Sequence, residues 1–128
     1  MIYNAYMQNG ALESFQHLGV ALFLKEFKAL MENKKLYFVN RKAHMNSLNR
    51  LGLTKEICIE LLFDLSLVDY CRGPVPDKDL PGNVWIFGKT IDGCEIYIKL
   101  KIADASDERI AKCISFHPAK HPICYPYK

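Results

Sequence analysis

The chain has 128 residues, 50% of them hydrophobic, which is enough for one domain whose core needs neither disulfides nor a bound metal. Its net charge of +3 is only mildly basic, so charge alone does not argue for a nucleic-acid partner. The five cysteines form no CxxC pair and indicate a reduced, cytoplasmic protein that uses cysteine as a small hydrophobic residue. No apolar run approaches the ~18 residues of a membrane span, and no secretory signal is evident.

The first part of the chain is predicted to be helical. Residues 1–10 show no clear period, so residues 1–15 are expected to form a disordered extension. Apolar residues then recur at three- and four-residue steps from Ala11 to Glu32, which predicts an amphipathic helix. Its expected buried stripe contains Leu12, Phe15, Leu18, Leu22, Phe23, Phe27, Leu30 and Met31.

Shorter elements complete a mainly helical half over residues 16–72. They are a strand over 36–39 and helices over 41–51 and 55–65. Thr54 is expected to cap the last of these helices, because a threonine hydroxyl accepts a bond from a first-turn N–H. Ser66 and Asp69 have the spacing of a capping box, which predicts one more helical turn after it.

The second half changes to strand-like alternation. A loop rich in glycine and proline over 73–83 is followed by predicted strands over 84–91, 94–103 and 112–117. Asp92-Gly93 is a strong two-residue hairpin signal, which makes the sheet antiparallel. The tail over 118–128 contains three prolines and is expected to be extended. The order of elements predicts a single α+β domain, with N-terminal helices packed on an antiparallel sheet over 84–117.

One face of the predicted sheet collects residues that suit an anionic ligand. Strand alternation places these residues on it: Lys89, Tyr97, Lys99, Lys101, Cys113, Ser115 and His117. Lysine attracts phosphate, tyrosine can donate to a phosphate or stack on a base, and histidine titrates near neutral pH. Such a set suits RNA cleavage by the neighbouring 2′-hydroxyl, which needs a base, an acid and cations but no metal. Arg72 lies where the helical half gives way to the sheet, where a cleft is expected.

Simpler interpretations of the same residues remain open. A polar sheet face can be a solvated surface, and Glu95 and Lys101 are expected to be ordinary surface residues. The segment from Cys113 to Cys124 has zinc-type spacing with His117 and His121 between them, C-x3-H-x3-H-x2-C. Zinc is disfavoured because the first two ligands would stand roughly 13 Å apart on an extended strand. No motif singles out a nucleophilic cysteine, and no metal or other cofactor is expected.

Five short segments also form a recognisable series. They are 50-RLGLT-54, 65-LSLVDYCRGP-74, 85-WIFGK-89, 95-EIYIKLKI-102 and 114-ISFHPA-119. Their order and spacing over roughly residues 20–127 resemble the MqsR-like toxins of bacterial type II toxin–antitoxin systems. The resemblance implies the helix-on-sheet fold of RelE-type (microbial RNase-like) ribonucleases and an mRNA endoribonuclease activity. It also implies a cognate antitoxin as a partner, with the ribosome as a further candidate and no membrane.

The resemblance assigns catalytic roles to four residues. Arg72 takes the place of a family lysine that follows a Leu-Ser…Asp-aromatic stretch, and Tyr97 with Lys99 matches the family's strand tyrosine and lysine. His117 replaces a lysine in the last strand, and a histidine is better suited to proton transfer at neutral pH. His117 is therefore expected to act as general acid or base, and Tyr97 to position the phosphate or share the proton transfer. Arg72 and Lys99 are expected to stabilise the developing charge.

Two further residues are expected to contact RNA, Lys89 and Trp85. The family has a glutamine after this tryptophan, whereas Ile86 stands here and offers no polar contact to a base. A second function class therefore competes with the enzyme. The chain could be a non-catalytic RNA- or protein-binding module that keeps the fold.

Overall fold

A computed structural model describes residues 5–39, 46 and 48–128 of the chain. Its elements in chain order are α1 (Ala5–Glu32), β1 (Leu36–Phe38), α2 (Lys55–Phe63), a 3₁₀ turn (Leu67–Asp69), β2 (Tyr70–Pro76), β3 (Asn83–Ile91), β4 (Cys94–Ala105) and β5 (Glu108–Pro118). Most of the helix predicted over 41–51 lies outside the described residues. No helix in the described part is long and apolar enough to cross a membrane.

Within the described residues, five strands form one open sheet in the order β1-β5-β4-β3-β2. Consecutive strands from β2 to β5 pair antiparallel, and β1 joins β5 in parallel. Asp92 and Gly93 connect β3 to β4 with φ values of 49° and 76°, as a tight hairpin turn of type I′ requires. The predicted α+β class and the antiparallel order of the last three strands are therefore confirmed.

α1 packs on one face of the sheet through an aromatic and aliphatic stripe. Val20 and Phe27 are fully buried, and the ring of Phe23 stacks on Trp85 with the ring centroids 4.7 Å apart. Phe23 also stacks on Phe87, which is itself fully buried in β3. Burying side chains of this size contributes roughly 1.5–3 kcal/mol each, so this contact anchors the helix to the sheet.

α1 differs from the prediction in its start and in its buried side. It begins at Ala5, so the structure departs from the predicted disordered extension from that residue onward. Phe15, Leu18 and Leu22 were expected in the core and are instead 72%, 53% and 55% exposed. The run 18-LGVALFL-24 places apolar side chains on every side of a helix, so its hydrophobic pattern does not identify the side that packs on the sheet.

α2 and the turn after it follow the sequence closely. The N–H of Ile57 donates to Thr54 Oγ1 at 3.2 Å, which confirms the predicted N-cap. The N–H of Ser66 donates to the Asp69 carboxylate at 2.9 Å around the 3₁₀ turn, as the capping-box spacing predicts. Cys58 on α2 is buried in the same core as α1.

β2 is a strand that the sequence did not predict. Its prolines and glycine indicate a loop, but an edge strand tolerates proline because its outer N–H groups need no ladder partner. Arg72 pairs with Ile86, and the register is irregular on both sides of it. Gly73 fits this irregularity, since its φ is 132° and a side chain there would come within 3.0 Å of the Trp85 backbone. The irregular edge brings Arg72 into the sheet.

β5 carries a bulge that decides which side chains share the face of Tyr97. The pairs on either side of it are Lys99 with Ser115 and Leu100 with Cys113. Ile114 is therefore the extra residue, and strand alternation changes face at this point. Cys113 is only 2% exposed and lies in the core, so its predicted place beside His117 is wrong. After the bulge, His117 pairs directly with Tyr97, as expected.

Candidate functional site

A cleft of about 530 Å³ opens on the side of the sheet that faces away from α1. β2, β4 and β5 contribute to its lining, and the tail after β5 forms a wall. All four residues predicted to be catalytic line it: Arg72, Tyr97, Lys99 and His117. The fold therefore brings these four side chains to one cleft.

Tyr97 and His117 form an aromatic pair in this cleft. Their strands pair at this position, and the rings stack with centroids 5.3 Å apart and planes 27° from parallel. His117 Nδ1 lies 2.8 Å from the carbonyl oxygen of Pro118. When Nδ1 carries the proton it donates to this carbonyl, which leaves Nε2 as the basic nitrogen. The backbone thus selects the tautomer that a general base requires.

The charged side chains that line the cleft are all basic. They are Arg72, Lys99 and Lys120, accompanied by the two histidines His117 and His121. Among the described residues, none of these three cations forms an ion pair. Their charge is therefore available to a ligand, and the chemistry of the cleft favours an anion such as a phosphate.

Lys89 and Trp85, predicted to contact RNA, do not join the cleft. Alternation along β3 places both on the face covered by α1, where Trp85 stacks on Phe23. Lys89 Nζ forms ion pairs with Asp64 at 2.7 Å and Asp69 at 3.3 Å. The expectation that Lys89 lies near Tyr97 is wrong, because in the hairpin register it faces the core with its partner from β4.

Lys101 is also a structural residue, although it was expected to be an ordinary surface residue. It is 3% exposed, and its Nζ donates to the Asp77 carboxylate at 2.6 Å and to the Pro81 carbonyl at 2.7 Å. The hydrogen bond from Lys101, together with backbone N–H donors, lowers the pKa of Asp77 to about 2. The pair ties the loop between β2 and β3 to β4.

Glu95 holds the tail, so its predicted role as plain surface is wrong too. Its carbonyl accepts from the Ala119 N–H at 2.8 Å, and its carboxylate accepts from the Ile123 N–H at 2.9 Å. The hydroxyl of Tyr125 donates to the same carboxylate at 3.0 Å. Burial, and then the hydrogen bond to Glu95, raise the pKa of Tyr125, so this hydroxyl keeps its proton at neutral pH.

The tail is extended, as predicted, but it also returns across the sheet. It passes over Gly88, where an added side chain would come within 2.8 Å of Ile123 Cδ1. Its end reaches Tyr70, on whose ring Tyr127 stacks with centroids 5.5 Å apart. Sequence reasoning missed this docking and the residues it brings to the cleft. The signal was Gly88, since glycine inside a strand often marks a place where another part of the chain approaches closely.

A second, smaller hollow continues the cleft towards the loop after β2. Its volume is about 250 Å³, and it shares Arg72, Tyr97 and Lys99 with the cleft. Lys78 lines it too, together with the acidic residues Asp77 and Asp79. The two hollows adjoin at these shared residues and form one groove, and His117 lines only the larger of the two.

Two thiols line the cleft, those of Cys71 and Cys124. Burial raises the pKa of Cys71, the thiol on β2, so it stays protonated and is a weak nucleophile at neutral pH. The zinc-type spacing is not assembled either, because Cys113 lies in the core and His117 in the cleft. Within the described part of the chain, no cluster of His, Cys, Asp and Glu is arranged to hold a metal ion.

Comparison with known proteins adds no relative: no family model, curated protein or solved structure matches the chain.

Proposed function

We propose that the chain is an endoribonuclease that cuts single-stranded mRNA without a metal ion. The observation that carries this proposal is the cleft itself, where the charged side chains are basic and the Tyr97–His117 pair lies among them. Phosphate is the anion that such a site suits, and a histidine beside a tyrosine can transfer protons at it. These groups fulfil the requirements of RNA cleavage by the neighbouring 2′-hydroxyl.

In this reaction the 2′-oxygen attacks the adjacent phosphorus, a P–O2′ bond forms and the P–O5′ bond breaks. His117 Nε2 accepts the 2′-hydroxyl proton, and a second group returns a proton to the departing 5′-oxygen. Arg72 and Lys99 stabilise the extra negative charge on the phosphate oxygens, and the Tyr97 hydroxyl holds the phosphate in place. The products end in a 2′,3′-cyclic phosphate and a 5′-hydroxyl.

The shape of the groove supports single-stranded RNA as the substrate. Its two hollows share Tyr97, so nucleotides on both sides of the scissile phosphate can lie along the sheet face. An unpaired base can stack on an aromatic side chain, whereas a base in a duplex is already stacked on its neighbours.

The toxin assignment rests on the series of motifs that resembles the MqsR-like family. It is supported by the meeting of the four motif-matched residues in one cleft: Arg72, Tyr97, Lys99 and His117. On this proposal the fold is RelE-like, the protein acts on mRNA in the bacterial cytoplasm, and a cognate antitoxin neutralises it. The ribosome is a further candidate partner.

Purified protein incubated with a defined single-stranded RNA in EDTA tests the activity. We expect cleavage by the wild-type chain and a loss of about 10²–10⁴-fold in rate for His117→Ala, the size of a general acid or base contribution. Lys25→Ala is the matched control, because Lys25 is exposed on α1, far from the cleft in the fold. Equal cleavage by wild type and His117→Ala would contradict the proposed role.

A non-catalytic RNA-binding module is the second candidate, favoured by one observation. Ile86 lines the cleft at the position that follows the strand tryptophan and offers no polar group to a substrate. In the same assay, RNA binding without products by the wild-type chain would support this alternative.

A further inference from the structure

The tail of the chain forms a short loop that is fixed at both ends by one residue. The Ala119 N–H donates to the backbone carbonyl of Glu95, and the Ile123 N–H donates to its carboxylate. Residues 120–122 therefore span the side of the cleft between two anchors, and Pro122 restricts the backbone further. This arrangement holds Lys120 and His121 along the wall of the cleft.

The floor and the wall of the cleft each contribute one histidine. His117 comes from β5 and is oriented by its contact with the Pro118 carbonyl, whereas His121 comes from the anchored loop. In phosphoryl chemistry of this kind the attacking and leaving oxygens lie roughly in line with phosphorus. Proton transfer at both oxygens therefore needs groups from two different parts of a site.

We propose that His121 is the second proton-transfer residue of the RNA cleavage reaction, acting as the general acid while His117 acts as the base. This inference rests on the proposed function and names a residue that the motif series does not contain. His117 Nε2 takes the 2′-hydroxyl proton as the P–O2′ bond forms. The imidazolium of His121 gives its proton to the 5′-oxygen as the P–O5′ bond breaks, so that one proton enters the protein and one leaves it.

No carboxylate lines the cleft around His121, although the Glu95 carboxylate holds its loop through the N–H of Ile123. The ionisable groups that line the cleft with it are Cys71 and Arg72 on β2, Tyr97 and Lys99 on β4, His117 on β5, and Lys120 and Cys124 on the tail. None of them is a carboxylate. The phosphate of bound RNA therefore supplies the negative charge that stabilises the imidazolium at the moment when it must donate.

Replacing His121 tests this role with a change that keeps a polar side chain on the loop. His121→Asn should lower the cleavage rate by about 10²-fold and leave RNA affinity within about twofold of wild type, since a general acid acts on the transition state. The pH–rate profile of the wild-type protein should be bell-shaped. The alkaline limb of this profile reports the general acid, so His121→Asn should lose it. The acidic limb reports the general base, so His117→Asn should lose that one. Lys25→Ala on α1 is the control, and it should keep both limbs.

A substrate with a better leaving group separates proton donation from a merely structural effect. An RNA with sulfur in place of the scissile 5′-oxygen releases a thiolate that needs no proton. We expect His121→Asn to cut this RNA at close to the wild-type rate, while His117→Asn stays impaired. His121→Asn equally impaired on both RNAs, or unimpaired on the natural one, would overturn the inference while leaving the proposed function standing. A wild-type chain inert towards both RNAs would overturn the proposed function and this inference with it.

Discussion

Three lysines on neighbouring strands show how the role of a residue depends on its partners. Lys89 pairs with Asp64 and Lys101 with Asp77, whereas Lys99 forms no ion pair with any described residue. Strand alternation in the sequence treats Lys99 and Lys101 as equivalent, because both lie on the same face of one strand. It could not reveal that Asp77, 24 residues away, neutralises one of them. Of these three lysines, only Lys99 is available to an anionic substrate.

At the same scale, Tyr97 should contribute through its hydroxyl and not through its ring alone. Tyr97→Phe keeps the stack on His117 but removes the hydroxyl that we propose holds the phosphate, so we expect at least about a tenfold loss in cleavage rate. Rates measured on one defined RNA, with Lys25→Ala as the control, check this. If Tyr97→Phe cleaves as fast as that control, the hydroxyl has no part in the reaction.

Lys101 should matter for stability and hardly at all for chemistry. Lys101→Met leaves Asp77 without its main partner and should lower the free energy of unfolding by about 1–3 kcal/mol at neutral pH. Chemical denaturation measures this, with Lys78→Met in the same loop as a control that is exposed. A loss no larger than that of the control would contradict the assigned role.

The Lys101–Asp77 pair also predicts how the free energy of unfolding changes at acidic pH. The pKa of Asp77 lies at about 2 in the folded chain, below its ordinary 3.8, so the pair stabilises the fold fully above 3.8. This contribution is lost as the pH falls towards 2. The difference in unfolding free energy between wild type and Lys101→Met should therefore shrink over that range, and a constant difference would contradict the assignment.

At the scale of elements, the sequence predicts the features that depend only on residues close to one another along the chain. The alternation in β3 and β4, the Asp92-Gly93 turn and the Thr54 cap each depend on neighbours in sequence, and all were predicted. β2 was not, because its prolines favour a loop and only its pairing with β3 makes it a strand. The bulge at Ile114 was equally hidden, since an extra residue in β5 shows only in the register with β4.

The docked tail yields a prediction about an element. Gly88→Ala adds a methyl group where Ile123 and Tyr125 cross β3, so the tail should be displaced while the sheet remains. Hydrogen exchange should then quicken at Ile123, and RNA cleavage should fall because the wall of the cleft moves. Thr90→Ala, exposed on the same strand, is the control. Unchanged exchange in the tail of Gly88→Ala would show that the crossing is not tight.

At the scale of the whole molecule, the site is assembled from segments that are far apart in sequence. β2 supplies Arg72, the centre of the sheet supplies Tyr97 and Lys99, and the tail supplies His121. The tail itself is held by Glu95 and by a Tyr127 ring that meets α1 at His17, with ring centroids 4.1 Å apart. Such long-range docking has no periodic signature in a sequence, which explains why the motifs predicted the floor of the cleft but not its wall.

The central claim is that this assembled cleft cuts RNA through the neighbouring 2′-hydroxyl. The most direct measurement is mass spectrometry of the products from one single-stranded RNA, incubated with the purified chain in EDTA, beside the same RNA carrying a 2′-deoxy nucleotide at the cleaved position. We predict fragments that end in a 2′,3′-cyclic phosphate and a 5′-hydroxyl, and no cleavage at the 2′-deoxy position. Cleavage of the 2′-deoxy RNA at that position, or no cleavage of either RNA, would contradict the account.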